Sequence, residues 1–366
     1  MESAGLERIV RAEDVAHMGL TEVIRHAPYI HSQYRRLVEA IKRDTPDLAI
    51  LIDFPDVNFR LAKHLRRLGV PVLWFVSPQL WAWKRRRLRW VQQRVDRMLV
   101  IFPFEAAFYR ARGVDAEFVG HPLAALRLPK ISRAEYAIHH GLDIEKRWIA
   151  FLPGSRGKEL QANLPMMMET ASDLGDTFEY IVPVASTIRE QDVRQMVFDH
   201  TSSLPRILPA IHLVPDAREA LYHARASVVA SGTATVQALT IGNPFVVVYR
   251  VSALTFAVAK WMIRYPAEIP AERDEYGNLP VGMVNLIAGR RIVPELLNQR
   301  FTSQNLSAAL RPLLEDTPER ARMTADLAET RAKLLPHPDS DPIQRVCDAV
   351  EGLLRSSSAA APNRDG

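Results

Sequence analysis

An α/β fold of two open parallel sheets facing each other across a cleft is predicted by three features of the sequence. Short apolar runs alternate with longer segments of helical period, as parallel βαβ units require. That series occurs twice, once on each side of a Pro-rich stretch at His121 to Pro129. The chain has 366 residues, enough for two domains that each bury a core.

In the first half the strand candidates are Asp47 to Asp53, Pro71 to Val76, Asp96 to Ile101 and Ala116 to Val119. Helices are expected near 57–68, 80–94 and 104–112. The second series runs Trp148 to Leu152, Phe178 to Val182, His212 to Val214, Ala226 to Ala230 and Phe245 to Tyr249. These patterns divide the chain into a first domain, 1–145, and a second, 146–335. A C-terminal helix, 336–355, is placed to pack back on the first domain, and the small polar residues of 356–366 are expected to be disordered. Beyond Pro294 the pattern predicts helix throughout, and Tyr265 to Gly282, rich in Pro and charge, predicts an exposed loop.

Hydrophobic residues make 48% of the chain and charged residues 24%, and no apolar run reaches the length of about eighteen that spans a bilayer. The start, MESAGLERIV, lacks a basic region followed by an apolar one, so no export signal is visible and a cytoplasmic protein is expected. The single Cys347 excludes an internal disulfide or a thiolate metal cluster and reads as a small buried hydrophobe. A net charge of +5 is compatible with nucleic acid, anionic lipid or a phosphorylated substrate.

Two turns carry the signature of a phosphate site. LPGSR, Leu152 to Arg156, follows the first strand of the second domain; Gly154 and Ser155 expose backbone N–H groups there, and Arg156 adds a planar cation for diphosphate oxygens. SGTAT follows a later strand and opens a helix near 233–241. In it Ser231, Gly232, Thr233 and Ala234 let a phosphate approach the positive helix end. Either turn alone also reads as an ordinary strand-to-helix connection. Together, at strand ends of one sheet, they suit a diphosphate. P-loop and dinucleotide fingerprints are absent from the sequence.

DFPDVNF places Asp53 at the mouth of an apolar strand, where partial desolvation would favour a general base. Asp56 reads as the N-cap of the next helix. The two could be read as a metal pair, but no D-x-D or His cluster accompanies them, so no metal is expected. VSPQLWAW and the following KRRRLRW place six cations between Lys84 and Arg94, interleaved with Trp81, Trp83 and Trp90. This pattern suits an interfacial helix on anionic lipid, RNA stacking, or a solvated helix face with one core Trp. Three cations at about 1 kcal/mol each would strengthen lipid attachment roughly a hundredfold. VNLIAGR offers Asn285 and Arg290 to a nucleotide or sugar, while FPFE (102–105) and GHP (120–122) read as further loops lining the cleft.

IDFPDVNF, WFVSPQLWAW, FPFE, FVGHPL, LPGSR, SGTAT and NLIAGR, seven motifs in order and at matching spacing, resemble the lipid-A-disaccharide synthase family. The similarity runs from about Glu13 to the C-terminal helices. It implies a GT-B fold, two facing Rossmann-like domains with an all-helical C-terminal end. It also implies inverting transfer without metal or cofactor, from UDP-2,3-diacylglucosamine to the 6-hydroxyl of 2,3-diacylglucosamine 1-phosphate. By motif, Asp53 is the base, Arg156 stabilises the diphosphate, and Asn285 belongs to the nucleotide-sugar site. Work at the inner-membrane surface is expected, with Trp81, Trp83, Lys84, Arg85 and Arg87 meeting lipid. No nucleic-acid partner is expected, and a homo-oligomer is compatible with this reading.

Two departures qualify the resemblance. Family members begin with a strand and a Gly-rich loop resembling GEASGD, which this chain lacks, so the first βαβ unit is expected to be missing. Gln237 stands where the family usually has Glu; its amide oxygen can still accept ribose hydroxyls. The alternatives are another GT-B UDP-sugar enzyme, or a noncatalytic protein that binds UDP-sugar or a membrane surface.

Overall fold

The computed structural model describes residue 5 and residues 7–10, 27–201 and 209–360. The first unit runs α1 (Ala27–Arg43), β1 (Ala49–Ile52), α2 (Pro55–Arg67), β2 (Val72–Phe75), α3 (Leu88–Arg94), β3 (Arg97–Val100), α4 (Pro103–Arg110) and β4 (Ala116–Phe118). Its strands are all parallel, in the order β1-β2-β3-β4. Parallel neighbours cannot be joined by a tight turn, which is why a helix or long connection separates each pair. Apart from Arg97 at the start of β3, the inner strands are apolar and buried: Val72, Leu73, Trp74, Met98, Leu99 and Val100 are all 0% exposed.

Among the described residues, β1 is an edge strand. Leu51 packs into the core, whereas Ile50 and Ile52 remain 45% and 47% exposed on the opposite face. Residues 80–94 do not form one helix. Trp81 turns into the core, Lys84 adopts left-handed backbone with φ 52°, and a short 3-10 turn at Arg85–Arg87 precedes α3. An L-residue in that region cannot continue a right-handed helix.

A 3-10 turn at Pro122–Ala125 and helix α5 (Arg133–His140) lead to the second unit. This unit runs β5 (Arg147–Leu152), α6 (Gly157–Leu174), β6 (Phe178–Pro183), α7 (Glu190–Thr201), β7 (Ile211–Val214), α8 (Ala217–His223), β8 (Ala226–Ala230), α9 (Thr233–Ile241) and β9 (Phe245–Tyr249). It continues through α10 (Ala253–Met262), α11 (Met283–Ala288) and β10 (Glu295–Leu297). The strand order is β10-β9-β8-β5-β6-β7, again all parallel. The chain winds outward from β5 to β7, then returns to the other side of β5 and winds outward to β10. This is a doubly wound sheet whose direction reverses between β5 and β8.

Strand β10 corrects the prediction of helix throughout beyond Pro294. Glu295 pairs in register with Val247 and Leu297 with Tyr249, and three residues are too few to show a periodicity. The Glu295 side chain, which made the segment look polar, is 0% exposed.

Helices α12 (Ser303–Leu314), α13 (Pro318–Ala332) and α14 (Pro342–Ala360) complete the described chain. α14 lies against the first unit, where Arg345 pairs with Glu117 of β4 at 2.5 Å. Just before it, the His121 N–H donates to the Leu334 carbonyl at 2.8 Å. Gly120, at φ 99°, makes room for this return: a Cβ there would stand 3.1 Å from both Leu335 and Pro336. α14 continues through Ser356–Ala360, the start of the segment expected as a disordered tail, where alanine favours helix. Residues 361–366 of that expectation lie outside the described residues.

Candidate active site

The site builds up at the point where the second sheet reverses. β5 and β8 are neighbours, Leu152 standing opposite Val229, so LPGSR and SGTAT leave the sheet side by side. Gly154 turns the chain at φ 124°. The Ser155 N–H then donates to Glu159 Oε2 at 3.0 Å, and Arg156 Nη1 donates to Glu159 Oε1 at 3.2 Å. A carboxylate thus sits at the N-terminal turn of α6, where an anion is favoured by unpaired N–H groups and the helix dipole. The Arg156 side chain is 81% exposed and projects from this turn.

On the second turn, the Ser231 hydroxyl donates to the Val281 carbonyl at 3.1 Å, and Gly232 (φ 150°) leads into α9. The Thr235 hydroxyl folds back on the Gly232 carbonyl at 2.7 Å. Gly232 and Thr233 are exposed, and Ala234 and Gln237 are half-buried on the first turns of the helix. The predicted diphosphate residues therefore converge on one rim.

The carboxyl ends of the first sheet carry strained backbone. Asp53 and Phe54 are left-handed at φ 44° and 43°, and Val76 at φ 62°, an outlier for a β-branched residue. Asn58 steadies the first bend by donating to the carbonyls of Ile52 and Asp53, at 3.1 and 2.7 Å. The Asp53 N–H donates to Phe75, which ties it to the loop after β2. Asp53 itself is exposed, so the expected desolvation is not found; among the described residues the strand before it has one neighbour, β2. Asp56 is not the N-cap of α2. Phe54 holds that position, Pro55 starts the helix, and Asp56 in the first turn pairs with Arg87 at 2.6 Å.

The group that organises these loops is one that the sequence reading passed over. Glu105 of FPFE is buried and accepts hydrogen bonds from the Ser77 hydroxyl at 2.9 Å, the Trp81 indole N–H at 3.0 Å and the Phe102 N–H at 3.1 Å. Burial pushes its carboxyl up to about 7, against the opposing pull of these donors. The Tyr109 hydroxyl donates to the Pro78 carbonyl at 2.7 Å and holds the same loop from below. His121 packs on Phe102, and burial lowers it to about 4, so its Nδ1 accepts from the Leu123 N–H. A glutamate three residues into a helix reads locally as a capping-box residue, and only the fold brings Ser77 and Trp81 to it.

Trp81 is 1% exposed, which removes it from the expected lipid contacts. Its indole is instead held by Glu105, and its ring packs 5.6 Å from Tyr265 of the second unit. Arg85 donates to the carbonyls of Trp81 and Arg264, and Arg112 pairs with Glu268 at 2.9 Å, so three contacts join the two units here. Arg87, 22% exposed, lies between the Asp56 carboxylate and the ring of Trp90. Trp83 is 48% exposed, with the Lys84 ammonium 4.1 Å from its ring centre.

Asn285 and Arg290 are occupied elsewhere. Asn285 is 1% exposed; its amide donates to the Val293 carbonyl and Glu295 Oε1, and its oxygen accepts from the N–H groups of Ile292 and Val293. All four hydrogen-bonding positions are filled by the protein, which leaves none for a ligand. Arg290 forms a bidentate pair with Asp326 of α13, at 2.7 and 3.1 Å. Both brace the segment that ends in β10. The loop from Tyr265 to Gly282 is likewise anchored: Ile269 is 2% exposed and the Tyr265 hydroxyl donates to Pro280.

Gln79, Trp81, Ala82 and Trp83 of the first unit share one cavity of about 640 Å³ with Ser231 and Tyr249 of the second. The carboxyl ends of the two sheets therefore face each other. Solved structures share this architecture. A calicheamicin glycosyltransferase matches over 98% of this chain and 88% of its own, with a TM-score of 0.57 at 15% identity. The UDP-GlcNAc 2-epimerase of Neisseria meningitidis, solved with UDP-GlcNAc, matches over 95% and 84%, with a TM-score of 0.54 at 14% identity. The fold is GT-B, the two-domain class of glycosyltransferases.

The sequence comparisons are narrower. A family model described as lipid-A-disaccharide synthetase matches residues 1–340. The lipid-A-disaccharide synthase of Acidobacterium capsulatum is 52% identical across 98% of this chain and 88% of its own length. That of Koribacter versatilis is 44% identical across 100% and 89%. The chain belongs to the lipid-A-disaccharide synthetase family and is a glycosyltransferase. Among the described residues, no helix is long and apolar enough to cross a membrane.

Proposed function

We propose that the chain transfers 2,3-diacylglucosamine from its UDP derivative to the 6-hydroxyl of 2,3-diacylglucosamine 1-phosphate, with inversion, at the inner-membrane surface. The observation that carries this reading is the placement of LPGSR and SGTAT side by side at the reversal of the second sheet, beneath the loops of the first.

Asp53 takes the proton of the acceptor hydroxyl. The freed oxygen attacks the anomeric carbon from the side opposite the leaving group, and the carbon–oxygen bond to the diphosphate breaks with its electron pair going to UDP. Arg156 and the N–H groups of Gly154, Gly232 and Thr233 stabilise the charge that develops there, with Ser155 shaping the turn. Ala234 allows close approach at the start of α9, and the Ser231 hydroxyl and Gln237 contact the nucleotide sugar. Asn285 and Arg290 act one step removed, holding the wall of the cleft. Trp83 and Lys84 rest on the lipid surface that presents both substrates.

The direct test incubates the purified chain with the two lipid substrates and follows the release of UDP and the disaccharide 1-phosphate by mass spectrometry. Stoichiometric formation of both products is expected. UDP binding without any disaccharide would overturn the proposal.

A further inference from the structure

The cavity between the units is walled mostly by apolar surface, with Gln79, Ser231, Thr255, Lys260, Arg273 and Asn278 as its polar lining. Ser231 comes from the SGTAT turn and Tyr249 from the end of the neighbouring strand. Trp83, Phe256, Val258, Met262, Leu279 and Pro280 supply apolar wall. The segment that supplies Phe256, Val258 and Met262 is α10, whose sequence ALTFAVAKWM carries a single charge. Val258, Trp261 and Met262 are 46%, 76% and 51% exposed, unusual for residues of this kind in a helix that has a core to pack on. At about 640 Å³ the cavity is of the size that holds a small organic ligand. Neither the nucleotide nor the acceptor phosphate accounts for so apolar a wall.

The geometry points to this cavity as the binding site for a fatty-acyl chain of the donor, running from the sugar at the Ser231 end along α10 to the exposed side chains at its far end. The inference rests on the proposed UDP-diacylglucosamine donor and adds where its lipid goes. Continuity supports the donor over the acceptor: the cavity shares Ser231 with the turn that receives the diphosphate, and most of its lining belongs to the second unit. Burying methylene groups there is favourable, so the chain would add affinity that the nucleotide alone lacks.

The test uses Val258→Asp and Met262→Asp, both at half-exposed positions where a carboxylate can be hydrated without unfolding the chain. Four quantities are measured for each: KM for the diacylated donor, KM for the acylated acceptor, the Kd of UDP, and co-sedimentation with anionic vesicles. The expected result is a rise of tenfold or more in donor KM, with acceptor KM, UDP affinity and vesicle binding within twofold of the parent. Val258→Phe, which fills space without adding charge, should discriminate against long acyl chains while tolerating short ones. An unchanged donor KM in both aspartate variants would overturn the inference. So would a parallel rise in both KM values with loss of vesicle binding, which assigns α10 to the membrane surface. If the parent chain fails to bind UDP at all, the proposed function falls first and the acyl site with it.

Discussion

The Glu105 carboxylate and the Trp81 indole N–H meet at 3.0 Å beneath the cleft, where the loop after β2 crosses the start of α4. This one contact fixes the face that Trp81 turns toward Tyr265, and so links a buried charge in the first unit to the wall of the second. Glu105→Gln should lose about 1–3 kcal/mol of stability, because its NH2 group meets donors where the carboxylate oxygens accept.

The same residue gives the protein a pH dependence. The folded-state value near 7 lies above the ordinary carboxylate value of 4.5, so folding takes up a proton between them. Stability present at pH 4.5 is therefore lost as pH rises through 7, by at most about 3 kcal/mol. Urea midpoints measured from pH 5 to 8 should fall for the parent chain and stay flatter in Glu105→Gln; equal slopes would contradict this role.

Asp53→Asn keeps a residue type that tolerates left-handed backbone, so the fold should be retained. kcat should fall by about a hundredfold or more as the base is lost, with the Kd of UDP unchanged. Near-parent turnover would remove Asp53 from catalysis.

Arg156→Ala should leave thermal stability within about 0.5 kcal/mol, since an 81% exposed side chain paired over one helical turn contributes little. UDP should bind about tenfold more weakly, the loss of one charge-assisted contact. Calorimetric titration separates the two effects, and an unaltered Kd would place the diphosphate elsewhere.

Asn285→Ala should do the reverse. It strands the N–H groups of Ile292 and Val293 beside a buried Glu295, at a cost of about 3 kcal/mol. Tm should drop by several degrees, while UDP affinity measured well below the transition stays within threefold. A selective loss of UDP binding without destabilisation would return Asn285 to the ligand site.

Much of the architecture was legible because a buried parallel strand writes itself as an uninterrupted apolar run; Ala226–Ala230 and Phe245–Tyr249 were predicted to the residue. β10 was not, since its three residues are made a strand by pairing with β9 rather than by their own composition. At the candidate site, the two adjacent turns were readable as strand-to-helix connections from small residues at strand ends. Asn285 and Arg290 were misjudged because polarity in a sequence does not distinguish a group that waits for a ligand from one already satisfied by its neighbours. Glu105 stayed hidden for the opposite reason: its partners Ser77 and Trp81 lie 28 and 24 residues away. Trp81 and Trp83, two positions apart, point to opposite environments, and only the left-handed turn at Lys84 explains why the run is not an amphipathic helix.

The chain passes between the two units twice, at Gly120–Pro122 and again after Leu334, and the His121 N–H pins the passages together. Two adjoining tethers leave the units less freedom to twist about the crossing than one would. A chain cut after Leu334 would keep the strands of both sheets yet lose the Arg345–Glu117 pair that holds α14 on the first unit.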